Sequence, residues 1–112
     1  MNKLFLSILV LFLWKAEAQT SALPLADSLY AIGNYQKAIE LYQNSSKTSA
    51  VTYQKIAQAY QATGNIGLAI NNYEKAIQLD QKLIIAKSNL GKLYYQSRKY
   101  RLADSLFKKL VE

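Results

Sequence analysis

The sequence predicts an all-α protein made of helical hairpins that repeat along the chain, and three observations carry that prediction. Four Gly and one Pro in 112 residues leave few breakers inside long elements. Apolar residues recur at helical spacing, as in Tyr53, Ile56, Ala57 and Tyr60. The pattern also overlies itself at two offsets. A shift of 31 places Gly33-Asn34-Tyr35 over Gly64-Asn65-Ile66, with Ala38 over Ala69, Ile39 over Ile70 and Tyr42 over Tyr73. A shift of 34 places Ile56 over Leu90, Tyr60 over Tyr94, Ile66 over Tyr100, Ala69 over Ala103 and Tyr73 over Phe107.

The first element is a candidate signal segment over residues 1–18. Met1 to Lys3 is a basic start, Leu4 to Trp14 is an eleven-residue apolar run interrupted only by Ser7, and Ala16-Glu17-Ala18 has small-x-small spacing. Spanning a bilayer takes roughly 20 apolar residues, so cleavage before Gln19 is expected, with export to the periplasm or the medium. Retention of the segment as a membrane anchor is the alternative. No Cys follows the run, which closes the lipoprotein route.

Residues 19–112 divide into units of about 19–49, 50–83 and 84–112. In the second unit the run through Tyr60 is broken at Gly64-Asn65 and resumed by Ile66, Ala69, Ile70, Tyr73, Ala76 and Ile77. Gly64 suits the left-handed turn that ends a helix. The first unit is three residues short, so its second helix should end near Asn44 to Ser46, before a polar stretch that also carries an N-x-S sequon. Ala38, Ala69 and Ala103 fall where the second helix of each pair comes closest to the first, with large side chains a turn away on either side. Gly91, at the place of Ala26 and Ala57, allows the same approach in the last pair.

Composition narrows the chemistry. With no Cys and no His there is no disulfide, no thiolate nucleophile, no imidazole base and no common nitrogen ligand for a metal. Seven scattered carboxylates provide no pair placed for acid/base work. The chain is therefore not expected to be an enzyme or to hold a cofactor.

The repeat resembles the tetratricopeptide repeat (TPR), a helical hairpin of 34 residues stacked into a right-handed superhelix. Tyr53, Ile56, Ala57, Tyr60, Gly64, Ile66, Ala69, Tyr73 and Ala76 stand at that pattern's places in the second unit. The third unit carries Leu90, Gly91, Tyr94, Tyr100, Ala103 and Phe107, and the first carries Leu25, Ala26, Gly33, Tyr35, Ala38 and Tyr42. The nine Tyr are largely this motif counted three times, and the resemblance makes these aromatics core. Three departures stand out: Gln81 replaces the usual Pro, Lys87 the first aromatic of the third unit, and Arg98 its turn Gly. The run Ala26 to Tyr30, together with Gly33 to Ile39 and the Gly64-Asn65-Ile66 turn, is also similar to short exported TPR proteins of Bacteroidota, including those of aerotolerance-type operons.

The resemblance implies a concave groove, lined by the first helix of each unit, that accepts an extended peptide or a partner helix. On this chain the implied groove residues are Asp27 and Tyr30, then Gln54, Gln58 and Gln61, then Ser88, Lys92, Tyr95 and Gln96, with Ala31, Val51, Ala62 and Ile85 beside them. The family's clamp for the C-terminal carboxylates of chaperones uses Lys, Arg and Asn at set places. Those places hold Leu23, Asp27, Lys55, Ile85 and Asn89, so that ligand is not expected.

Charge is uneven. Residues 19–80 balance four Lys against four acids, whereas residues 81–112 hold eight Lys and Arg against two acids. Lys87, Arg98, Lys99, Arg101, Lys108 and Lys109 form a candidate basic surface. The leading expectation is a non-enzymatic scaffold of the cell envelope that binds another protein. The alternative is a basic binder of anionic lipid or polysaccharide that uses the third unit; nucleic acid is not expected, because these residues form no reading motif. Leu110 and Val111 correspond to Ala76 and Ile77, which a following unit would help to bury, so a covering partner or further repeats are expected at this end, in preference to end-to-end pairing with a second copy, which the like charges of the third unit oppose.

Overall fold

The computed structural model describes residues 23–45 and 49–111, and the expected signal segment lies outside them. The described residues form six helices: α1 over residues 23–31, α2 Tyr35–Gln43, α3 Ala50–Ala62, α4 Ile66–Leu79, α5 Ile84–Gln96 and α6 Tyr100–Val111. They fall in two units, within residues 1–46 and 47–112. The first holds the α1–α2 hairpin; the second holds the α3–α4 and α5–α6 hairpins. The all-helical, hairpin-built fold expected from the repeat is the one observed. Among the described residues no helix is long and apolar enough to cross a membrane.

Each hairpin turns by the same device. The amide of Gly33 donates to the Tyr30 carbonyl and that of Asn34 to the Leu29 carbonyl, at 3.0 and 2.8 Å. Gly64 and Asn65 repeat the pair on Gln61 and Tyr60, and Arg98 and Lys99 repeat it on Tyr95 and Tyr94. This double closure satisfies the orphan carbonyls at a helix end and requires a left-handed residue just past it. Gly33 and Gly64 hold φ of +85° and +80°, and Arg98 holds +61°. The departure at Arg98 thus leaves the turn intact, with a side chain in a backbone region that disfavours it. Arg98→Gly is expected to stabilise the fold by about 1 kcal/mol, read as a higher denaturation midpoint.

Other boundaries follow from local chemistry. Ser49 caps α3, its Oγ accepting from the Thr52 amide at 3.2 Å. Asp80, extended in backbone, ends α4 and takes the Lys82 amide on its carboxylate at 2.9 Å. In the first unit α2 ends at Gln43 with Asn44 as its cap, close to the expected end.

In the second unit α4 packs on α3 and on α5, and α5 on α6. Their shared core joins Ala57, Ala69, Ile70, Tyr73, Ala86, Leu90, Leu93, Tyr94 and Ala103, with Phe107, Tyr60 and Ile77 against it. Ala69 and Tyr73 are both fully buried, the small and large members of one interlocking face. Gly91 has the role its spacing assigns. A Cβ built there would stand 2.5 Å from Cζ of Phe107, so the ring occupies the space an Ala would need. In the first unit Ala26, Ala38, Ile39 and Tyr42 are buried.

One motif aromatic departs from the expectation that it is core. Tyr100 is 49% exposed. It stands on the first turn of α6, where its ring meets that of Tyr95 edge-on, with centroids 5.2 Å apart, and stays at the surface. Leu25 is 53% exposed, although the aligned Leu90 is buried. Leu90 is covered by the core that α4 shares with α5; among the described residues no helix precedes α1 to cover Leu25 in the same way. Tyr53, another motif aromatic, is half-buried, with Lys75 Nζ 5.7 Å from its ring centroid.

Candidate functional site

The first helices of the second unit, α3 and α5, bring seven of the nine expected groove residues into one unit. On α3, Gln54, Gln58 and Gln61 are spaced four and three apart, which puts them on one face, and all three are half-buried. On α5, Ser88 is half-buried while Lys92, Tyr95 and Gln96 are exposed. Val51 on α3 and Ile85 and Tyr95 on α5 are exposed large apolar side chains. Asp27 and Tyr30 lie in the first unit, on α1.

A tyrosine hydroxyl organises the face from behind. Tyr73, buried on α4, donates from its hydroxyl to Gln61 Oε1 at 2.9 Å and accepts from Asn89 Nδ2 at 3.1 Å. One hydroxyl therefore joins α3 to α5 and fixes the orientation of the Gln61 amide. Asn89 is not singled out as a groove residue by the spacing argument. The one signal for it is that Tyr73 has a hydroxyl where the aligned Phe107 has none, since a buried phenol needs a partner. In the first unit the Tyr42 hydroxyl donates to Asp27, so the same device recurs there. Gln54 Oε1 is buried and has no hydrogen-bond partner among the described residues.

A second tyrosine holds the opposite side of α5. Tyr94 donates to Glu74 Oε1 at 2.8 Å, beside an apolar cleft of about 330 Å³ bounded by Ile77, Leu90, Leu102, Leu106 and Lys109. Burial first, and then the hydrogen bond to a carboxylate, raise the Tyr94 phenol well above its ordinary range; burial and Asp27 do the same to Tyr42. Tyr30 is also raised, by burial and by the neighbouring Tyr35. Below the ordinary tyrosine range both the folded and unfolded chains keep these protons, and the full stabilisation is present. As pH rises through about 10 the unfolded chain releases them first, so the fold loses stability. Denaturation midpoints are therefore expected to fall above that pH, and Tyr94→Phe is expected to flatten the fall, measured by urea melts along an alkaline series.

The six expected basic residues do not form one patch. Arg98, Lys99 and Arg101 are exposed at the α5–α6 turn. Lys108 and Lys109 stand in the last turn of α6, where a positive charge complements the helix dipole. Lys87, half-buried, lies near the start of α5 and so at the same end of the hairpin as Lys108 and Lys109.

The TPR repeat family model matches residues 57–97, the stretch from within α3 to the end of α5. Uncharacterized protein ycf37 of Pyropia yezoensis is 30% identical over 59 residues, 53% of this chain. The chain spans about a third of that protein's length, 33%. The TPR domain of Sgt2 from Aspergillus fumigatus superposes with a TM-score of 0.71 at 25% identity, covering 82% of this chain and 63% of that one. The Arabidopsis OM64 TPR domain gives 0.72 at 22% identity, covering 83% and 79%. The fold is thus that of TPR domains, which are generally protein–protein interaction modules and typically non-catalytic.

Proposed function

From the TPR repeat over residues 57–97, we propose that the chain is a binding scaffold whose α3–α5 face holds an extended peptide or a helix of a partner protein. The observation that carries this reading is the Tyr73 hydroxyl joined to Gln61 and Asn89. It holds the Gln61 and Asn89 amides in place before any ligand arrives, which lowers the ordering cost of binding. Gln58 and Gln61 offer both donors and acceptors to a peptide backbone. Tyr95, 63% exposed, supplies the aromatic anchor typical of a strong contact.

The test is affinity capture from the producing cell, followed by titration of the identified partner. Tyr95→Ala and Gln58→Ala are expected to weaken that partner about tenfold or more, whereas Ser105→Ala, beside the cleft on the other side of α5, should leave it unchanged. Binding that ignores both face substitutions and disappears in moderate salt would rule out the groove and favour an exposed charge contact.

The proposed location of this scaffold is the cell envelope or outside the cell. Support comes from the basic start, the apolar run Leu4 to Trp14 and the small pair Ala16 and Ala18, and from the likeness to short exported TPR proteins of Bacteroidota. Mass spectrometry of the exported protein should find Gln19 at its N-terminus. Residues 1–18 still attached in the membrane fraction would replace secretion with anchoring.

A further inference from the structure

We propose that the α5–α6 turn is a docking tip for anionic phospholipid surfaces, one that borders the peptide face at the Tyr95–Tyr100 ring pair. Three turns share one geometry, and the third departs from the others in chemistry. The first two carry Gly33-Asn34 and Gly64-Asn65; the third carries Arg98-Lys99 at the same two positions, with the same pair of backbone hydrogen bonds. Among the described residues, Arg98 is the non-glycine residue held at positive φ, at +61°. A Gly would serve that backbone better, so the geometry of the turn does not account for the Arg. Residues kept against backbone preference concentrate at functional sites.

The surroundings of the turn fit an anionic interface. From Gln81 through Ala103 there is no acid, and Lys82, Lys87, Lys92, Arg98, Lys99 and Arg101 fall in that stretch. At the tip, Arg98, Lys99 and Arg101 are exposed, beside Tyr100 and Leu102, which is 51% exposed. These five consecutive residues bound a shallow hollow of about 430 Å³. Tyr rings at headgroup depth, an apolar side chain to enter the acyl boundary and cations to meet phosphates are the elements of an interfacial contact. The first hairpin supplies an internal comparison. It has the same edge-on ring pair, Tyr30 on Tyr35 at 5.2 Å, but with Gly33-Asn34 between the rings. The cations, together with the greater exposure of the Tyr95 and Tyr100 rings, therefore set the third turn apart. A protruding turn that presents charge and apolar groups together suits a flat surface better than an acidic peptide, which would gain more from a walled groove.

The other two turns also provide the test. Arg98→Gly/Lys99→Asn installs the sequence that closes both earlier turns, removes two charges, and should melt at or above the parent temperature. The full chain is sedimented with vesicles of phosphatidylcholine mixed with phosphatidylglycerol, and with vesicles of phosphatidylcholine alone. Residues 4–14 are the same in both chains, so their own affinity for lipid cancels in the comparison. The parent is expected to prefer the anionic vesicles and to lose that preference as salt rises. The variant is expected to lose on the order of tenfold in anionic binding, with binding to phosphatidylcholine unchanged. Equal binding of the parent to both vesicles, or full anionic binding by the variant, overturns the proposal. So does retention on polyglutamate or an oligonucleotide without any on the anionic vesicles, which would assign the tip to an acidic macromolecule.

Discussion

Tyr73→Ala is expected to destabilise the protein by about 3 to 5 kcal/mol, the range for removing a large buried aromatic. That is a large part of the roughly 5 to 15 kcal/mol that separates a typical domain from its unfolded state. Tyr73 has no exposed surface and lies in the core shared by α3, α4, α5 and α6, so its removal opens a cavity that both hairpins of the unit border. The hydroxyl contributes separately. Tyr73→Phe keeps the ring and takes away the partner of Gln61 Oε1 and Asn89 Nδ2, at a cost of about 1 kcal/mol, because both amides are half-buried and water can reach them in part. Urea denaturation of the three proteins checks this order. A Phe variant as unstable as the Ala variant would mean that the hydrogen bonds, not the ring, hold the unit together.

The second large effect is expected at Ala69, also without exposed surface. Leu in its place has no room in the shared core and should force α4 away from its neighbours, costing about 1 to 3 kcal/mol by overpacking. Ala62 gives the control. It ends α3 and is exposed, so Ala62→Leu should stay within about 0.5 kcal/mol of the parent. Equal thermal midpoints for Ala69→Leu and the parent would show that the frame of the repeat is misplaced by at least one residue.

Much of this architecture is legible in the order of residues because it is local. A glycine at a helix end, a cap such as Ser49 and apolar positions three and four apart act through the backbone of neighbouring residues, so spacing alone locates helices and turns. Two offsets add the pairing, since a repeat that buries Ala69 must do much the same with Ala38 and Ala103. Gly91 belongs here too: its alignment with Ala57 and Ala26 already implies a close approach, and the structure adds only that Phe107 fills the space.

The sequence by itself determined the helical class, the hairpin repeat, the turn positions and the small-against-large face, all of which follow from periodicity and backbone preference. Only the tertiary structure decided that the Tyr73 hydroxyl meets Gln61 and Asn89, that Tyr94 is held by Glu74, that Tyr100 stays at the surface with Tyr95, and that the basic residues divide between the two ends of the last hairpin. The reason is distance. Gln61, Tyr73 and Asn89 come from three different helices, and a hydrogen bond between side chains requires their atoms within about 3 Å, a condition set by how α3, α4 and α5 pack and carried by no periodicity along the chain.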